Sequence, residues 1–470
     1  MKMLPDFISE YSALFGTIRK VVPPSMKIYL VGGAVRDILL GRPIRDFDFT
    51  VEGLVRPIGK YIADTLNGAY YVLDDERDMV RVIIDDPDKG QFDIDIAQMT
   101  GDDITSDLKG RDFTINAIAI ELADEPVLVD PLGGEADLRN KTLRMCDPFS
   151  LDNDPMRGLR AVRMCLEFGL LMDEELASAM EGIRDSLDDS SFERYRDELF
   201  KIIKIYRNQE AFSMAIRYGF IDYLFEGWNR EYAKDHGRLI TNTDLFIRLL
   251  TFSHGGLQSA DAHQEMAVKS LGNYLGASTA FYDKTLALYH TRRMLTAFAA
   301  ASEVFSGSHE ELVKDWCIRL TFSGMETSFV QQAILSYRFL AALDDPDVFD
   351  DVAIYRYFRQ YKEGGIAGAL LYLADQYTIC KEKTSKKDWQ DRISLVEKLV
   401  EAFYTRNLDV IQPKPFLSGD VILQITGKPA GPFIGTLKND LIEAQIRGEV
   451  SDREEAEQFV IKKAAENSIE

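Results

Sequence analysis

Between residues 27 and 96 short apolar runs alternate with Gly- and Asp-rich breaks. Lys27–Val31, Asp46–Val51, Tyr70–Leu73, Met79–Ile84 and Phe92–Ile96 each carry the β-branched and aromatic side chains of a strand. From about Asp154 the period lengthens to that of helices, as in Asp154–Phe168, Phe192–Arg207, Leu245–Phe252 and Leu312–Phe322. The pattern predicts an α/β N-terminal head, a mixed sheet with helices, followed by an all-α remainder. Breaks at Asp130-Pro131-Leu132-Gly133-Gly134, Asp147-Pro148, Ser253–Ser259 and Gln412–Pro415 are candidate boundaries. They suggest a head over 1–140, a neck over 141–207, a body over 208–410 and a tail over 411–470.

Composition narrows the function classes. A chain of 470 residues that is 46% hydrophobic can bury several cores, and roughly 150 residues per domain predicts about three or four units. No apolar run approaches the roughly 18 uncharged residues of a membrane span. The stretch Met1–Lys20 carries Asp6 and Glu10 rather than a basic region followed by an apolar one, so the expected location is the cytoplasm, with no membrane partner. The 4 cysteines and 5 histidines are scattered without metal-ligand or C-x-x-C spacing, which argues against zinc and against a disulfide framework. The net charge of -22 argues against a non-specific nucleic-acid coat protein. An RNA enzyme needs its cations concentrated in one groove. The densest basic run of the C-terminal half, Lys381–Lys387, reads first as a solvated surface.

The chemistry lies in the head. In Leu30-Val31-Gly32-Gly33-Ala34-Val35-Arg36-Asp37 two glycines follow a strand, and Arg36 lies three residues into the next helix. Glycines let backbone approach a triphosphate, helix N–H groups and a guanidinium can bind it, and so Gly32, Gly33 and Arg36 are candidate triphosphate contacts. Alone, such a turn is more often only a tight turn. In Arg45-Asp46-Phe47-Asp48-Phe49, however, Asp46 and Asp48 stand at i and i+2 and share one strand face. Paired carboxylates are the ligands that Mg²⁺ and nucleotidyl transfer require. Phe92-Asp93-Ile94-Asp95-Ile96 offers a third carboxylate, Asp95, with Asp93 behind it; an exposed acidic edge strand is the alternative.

The G-G-A-V-R-D and D-F-D-F strings resemble the first signature of the class II tRNA nucleotidyltransferase and bacterial poly(A) polymerase family, a branch of the polymerase β-like nucleotidyltransferases. Further elements follow in order over roughly residues 27 to 205. Gly110-Arg111-Asp112-Phe113-Thr114-Ile115-Asn116-Ala117 is similar to the family's ribose-recognition element R-R-D-F-T-I-N-A, with Gly110 in place of its first arginine, and implies Arg111, Asp112 and Asn116 as nucleotide contacts. Asn153-Asp154-Pro155-Met156-Arg157 and the following Arg160 and Arg163 resemble the E-D-x-x-R element that reads the incoming base; Asn153 replaces the usual glutamate. By that match Asp154, Arg157, Arg160 and Arg163 are nucleotide-binding. From the residues alone, Asp154 should cap the helix and Pro155 occupy its first position. Ser191–Leu199 resembles the last shared motif, in which Glu193, Arg194 and Glu198 brace the template helix.

The resemblance implies Mg²⁺ as cofactor, CTP and ATP as nucleotides and a tRNA 3′ end as acceptor, with no obligate protein partner. The pattern Leu417–Asp420, Gly431–Gly435 and Ala444–Glu455 resembles the tails of tRNA nucleotidyltransferases rather than the basic extension of poly(A) polymerases. The short stretch Ile96–Gly110 resembles the CC-adding branch. CC addition, full CCA addition and A addition all stay open, as does poly(A) synthesis. A small-molecule nucleotidyltransferase is the rival reading, and it would not require some 300 residues of helix. Arg292, Arg293 and Lys381–Lys387 are the sequence candidates for RNA contact in the helical remainder.

Overall fold

The strand alternation has a direct structural consequence: Phe47, Phe49 and Val51 are buried while Asp46 and Asp48 point to the other face of the same strand. The computed structural model describes residues 11–23, 26–76, 78–86, 90–123, 125–187, 192–205, 208–251, 261–287, 290–307, 309–343, 349–382 and 386–466. The expected break at Ser253–Ser259, Ser191, Arg207 and the middle of the 381–387 run lie outside them. Two compact units result, one comprising the chain to Glu198 together with 210–223, the other 199–209 together with 224 onward.

In the first unit, helix α1 (Ser12–Val21) precedes β1 (Ile28–Val31), α2 (Gly33–Leu39), β2 (Asp46–Val51), α3 (Val55–Leu66), β3 (Ala69–Asp74), β4 (Met79–Asp86) and β5 (Gly90–Gln98). A short helix α4 (Ile104–Lys109) then leads to β6 (Ala119–Glu121) and β7 (Val127–Val129). These seven strands form one mixed sheet in the order β3-β4-β5-β2-β1-β6-β7, in which β2 and β5 run parallel and the other neighbours antiparallel. The parallel register sets Asp46 beside Asp93 and Asp48 beside Asp95. Asp46, Asp48, Asp93 and Asp95 therefore share one face.

The opposite face is dry. Phe47 packs edge-on against Tyr11 of the segment leading into α1 and against Phe92, with ring centroids 5.2 and 5.8 Å apart. Each such buried ring removes enough apolar area from water to contribute roughly 1.5–3 kcal/mol. Helix α3 lies on β4, so closely that a Cβ on Gly59 would come within 2.5 Å of Val80 Cγ2. The rigid hydrophobic side thus holds the acidic side in place.

After β7 come α5 (Gly134–Asn140), β8 (Thr142–Leu143), α6 (Ser150–Asn153), α7 (Met156–Phe168) and β9 (Leu171–Met172), which pairs with β8. Helix α7 begins one residue later than expected. Pro155 is its cap, without a side-chain hydrogen bond, because the Asp154 carboxylate is engaged elsewhere. Gly169, at φ 65°, ends it in the left-handed conformation that suits glycine. Gly158 permits close packing of α7: a Cβ there would meet Ile183 Cδ1 at 2.1 Å and Phe220 Cζ at 2.9 Å.

The second unit is helical among the described residues, its long members being Arg238–Thr251, Arg292–Ser306, Gly324–Ala341, Gly364–Glu382 and Lys386–Thr405. Gly364–Glu382 packs on Gly324–Ala341 at small-residue distance, since a Cβ on Gly368 would lie 1.8 Å from Ser336 Oγ. The C-terminal helices Gly419–Thr426, Pro432–Ile446 and Arg453–Glu466 close over their own core of Leu417, Ile422, Leu437, Leu441 and Val460. Among the described residues no helix is long and apolar enough to cross a membrane.

The structure also alters the expected RNA contacts. Arg292 is buried and forked onto Glu363 at 2.6 and 3.0 Å, and Arg293 is paired with Asp283 at 2.6 Å. Lys381 donates to Asp261 at 2.7 Å. These cations are already committed to carboxylates of the protein, as expected in a chain with 77 acidic side chains.

Candidate active site

On the acidic face of the sheet, Gly32, Gly33 and Asp48 line a cleft of about 740 Å³ together with Arg111, Asp112, Asn116, Asp154, Arg157, Arg160 and Arg194. Gly32 has φ +74°, and a Cβ there would stand 3.2 Å from Arg111 Nη1 and 3.4 Å from Asp48 Oδ2. Glycine is therefore favoured both by the backbone and by the convergence of a cation and a carboxylate on the turn. Arg111 is held from behind by Asp107, buried, whose Oδ2 accepts from its Nη2 at 3.0 Å. The other Asp107 oxygen accepts from the Thr100 N–H at 2.9 Å.

Burial first, then the neighbouring Asp95 carboxylate, push Asp48 up to about 6. Loss of water and the adjacent Asp93 also raise Asp46, although Asp46 itself is exposed and does not line the cleft. Asp95 is not open: Arg81 of β4 grips both its oxygens, each at 2.7 Å. Arg81 went unnoticed in the sequence; its alternation in Met79–Ile84 places it on the polar face, but only the β4–β5 register, Arg81 opposite Asp95, shows what it meets.

A polar chain runs along the floor. Arg36 donates to Asn116 Oδ1 at 2.7 Å, and Asn116 Nδ2 donates to Asp112 Oδ1 at 3.0 Å. Arg160 Nε stands 3.0 Å from Asp112 Oδ2 as an ion pair. Burial works to raise Asp112, but Arg160, Asn116 and the Phe113 N–H together hold it below its ordinary value. Arg36 itself is buried rather than open to a phosphate. Its guanidinium is bonded to Asp37 at 3.0 and 3.1 Å and lies 4.3 Å from the Phe168 ring centre. It does not line the cleft.

At the Asn153–Arg157 segment, Arg194 Nη2 donates to Asp154 Oδ2 at 2.5 Å. Arg157 donates to Gly110 O at 2.9 Å and to Ser150 Oγ at 2.8 Å, tying α7 to the turn that leads into Asp112. Ser150, buried in α6, donates in turn to Asp112 O at 3.2 Å. Neither Ser150 nor Tyr195, which also lines the cleft, was singled out in the sequence, since both act through contacts distant along the chain. Arg163 is buried away from the cleft, ion-paired with Glu198 and Glu167. Glu198 thus joins the last motif to α7, while Glu193 pairs at the surface with Arg196 at 3.3 Å.

Hard oxygen donors on a crowded acidic strand suit a divalent cation. Binding one would offset the burial, and the repulsion by neighbouring carboxylates, that raise Asp46 and Asp48. Among the described residues no three His, Cys, Asp or Glu side chains form a metal cage, so Asp46 and Asp48 would share an ion with substrate phosphates and water. Mg²⁺ is commonly held in that way.

Two family models match, the poly A polymerase head domain over residues 28–144 and the probable RNA and SrmB-binding site of polymerase A over 169–231. The chain is 35% identical to a CC-adding tRNA nucleotidyltransferase of Geobacter sulfurreducens, over 38% of this chain and 40% of that relative, so it matches less than half of that protein's length. It is 26% identical to an A-adding tRNA nucleotidyltransferase of Deinococcus radiodurans over 93% of this chain and 95% of that one. The fold is that of a CCA-adding enzyme in its apo form, with a TM-score of 0.63 at 22% identity, covering 98% of this chain and 95% of the other. Its head matches the poly A polymerase head domain, its fold is that of a CCA-adding enzyme, and in sequence the chain is similar to the class II tRNA nucleotidyltransferases.

Proposed function

We propose that this protein extends the 3′ end of tRNA without a nucleic-acid template, transferring CMP from CTP and, where the CCA end is completed, AMP from ATP. The observation that carries the reading is the gathering in one cleft of a carboxylate, a glycine turn and Arg111 with the Asp112–Asn116 pair and the Asp154–Arg157 element. A triphosphate, a ribose and a base each find chemically suited groups there. The names of the relatives, CC-adding and A-adding tRNA nucleotidyltransferases, support the same acceptor.

Asp46 and Asp48 would hold Mg²⁺, which when bound supplies the charge that favours the 3′-oxyanion and offsets the leaving pyrophosphate. The RNA 3′-oxygen forms a bond to the α-phosphorus while the α–β phosphoanhydride breaks, and the hydroxyl proton is lost to solvent. Gly32 and Gly33 leave room for the phosphates, and Arg111, fixed by Asp107, offers them a cation. Arg36 supports this arrangement through Asn116, and Asp95 contributes through Arg81 to the field around Asp48. Asp112 and Asn116 face the ribose. Asp154 and Arg157, positioned by Arg194 and Ser150, present an acceptor and a donor complementary to the amino donor and adjacent ring-nitrogen acceptor that C and A share and that G and U lack. Arg160 holds Asp112, while Arg163, Glu198 and Glu193 support the helix.

The stretch Ile96–Gly110 consists of the end of β5, a turn at Gly101 and α4 capped by Asp103. Its brevity favours CC addition over the completed CCA end. The test offers CTP, ATP, GTP and UTP separately to the protein and to its Asp154→Ala and Arg157→Ala variants, with a tRNA transcript lacking CCA. Relaxed choice among the bases is expected of the variants; unchanged preference for CTP and ATP would remove the base-reading role.

A further inference from the structure

In the second unit, the helix Asp351–Tyr361, the segment Asn407–Gln412 and the helix Pro432–Ile446 enclose a second cleft, of about 510 Å³. Its apolar lining includes Tyr355, Phe358 and Phe403, and its charged lining is Arg359, Lys362, Lys438 and Glu363. The Glu363 carboxylate is neutralised by Arg292. The side chains of Arg359, Lys362 and Lys438 make no hydrogen bond or ion pair among the described residues, whereas most arginines of this acidic chain are matched by a carboxylate. Unmatched cations around aromatic rings are the chemistry of a site for a planar ring carrying a phosphate.

Two backbone features of the same cleft are independent of charge. Asn407–Ile411 is a π-helical turn, a rare element that recurs at functional sites. Lys362 ends its helix at φ 48°, ψ -137°, a conformation strained for a side-chain-bearing residue. Lysine occupies it although glycines follow at 364 and 365, where a Cβ would collide with Gln332 and Tyr357. The strain places a cation-bearing residue at the rim.

We propose that this cleft is a second nucleotide site, separate from the cleft of the head, in which Arg359, Lys362 and Lys438 bind a phosphate and the aromatic lining receives the attached ring. Its source is either a nucleotide unit of the RNA acceptor or a free mononucleotide; the first rests on the proposed tRNA function and the second does not. The full-length protein is lightly acetylated with and without a tRNA transcript lacking CCA, or with and without CMP, and the modification of Lys362 and Lys438 is compared by mass spectrometry with that of exposed Lys386 and Lys387. At least threefold protection of Lys362 and Lys438 by tRNA alone identifies the RNA source, and protection by CMP identifies the free nucleotide. For the RNA source, Arg359→Ala with Lys438→Ala should weaken tRNA binding about tenfold and lower the dependence of log affinity on log salt by about two, leaving the KM for CTP unchanged. Absence of protection by both ligands overturns the proposal. Protection without nucleotide addition would retain this site and reject the proposed activity.

Discussion

Replacing Asp48 by Asn should abolish activity and stabilise the protein, two effects that a merely structural carboxylate would not combine. Asp48 is crowded by burial and by Asp95, so that its proton is held to about pH 6 rather than the ordinary 3.8. A folded-state value above the unfolded one means that ionisation opposes folding. The stabilisation is fully present below about pH 4 and is lost as pH rises through about 6. A shift of roughly two units corresponds to at most about 3 kcal/mol at pH 8, and solvent access reduces it toward about 1–2 kcal/mol. Asn cannot ionise, and at about 2–4 °C per kcal/mol for a unit of this size the variant should melt several degrees higher at pH 8 and no higher at pH 4. Added Mg²⁺ should raise the melting temperature of the native protein, because it binds only the folded carboxylates, and should leave Asp48→Asn nearly unmoved. Scanning calorimetry at pH 4, 6 and 8 with and without Mg²⁺ measures all of this, alongside CMP incorporation, expected to fall at least about a hundredfold. A variant no more stable at pH 8, or stabilised by Mg²⁺ as much as the native chain, would refute the reasoning.

Gly32→Ala should raise the KM for CTP at least about tenfold while the fold persists, since the new methyl faces Arg111 and Asp48 in the cleft; steady-state kinetics and circular dichroism separate the two. Arg194→Ala removes the shorter of the two ion pairs of Asp154, leaving Arg157 at 3.8 Å, and discrimination for CTP and ATP over UTP and GTP should fall about tenfold, equivalent to about 1.4 kcal/mol, as read in single-nucleotide incorporation. Gly158→Ala drives a methyl into Ile183 and Phe220, and should cost about 1–3 kcal/mol in denaturant unfolding. Arg81→Met should leave Asp95 without its cation and raise the pH at which CMP incorporation reaches half its maximum, because Arg81 lowers Asp48 as well.

The sequence showed most of the sheet because the head is built by strong local alternation. Asp46–Val51 is found at its expected bounds, and Met79–Ile84 and Phe92–Ile96 lie inside longer strands. The strands β6 to β9 have two or three residues each, too few for a period to register. Which motifs would share a cleft was legible from their resemblance to the family, but how each side chain is used was not. Arg36 and Arg163 read as open cations because their partners, Asn116 and Glu198, lie far along the chain. Asp154 read as a helix cap because its competing partner, Arg194, belongs to a different helix. Asp107, Arg81 and Ser150 carry no motif, and their roles arise only when register and helix packing bring them to Arg111, Asp95 and Arg157.

The central claim is tested most directly by incubating the protein with Mg²⁺, CTP and ATP, singly and together, with tRNA transcripts ending before CCA and after CC and with oligo(A), then sequencing the product ends. The account predicts cytidine added to the tRNA lacking CCA, stopping at CC if the short Ile96–Gly110 stretch governs the outcome and proceeding to CCA if it does not. Long adenosine tails on oligo(A), or no nucleotide added to any tRNA end, would contradict it.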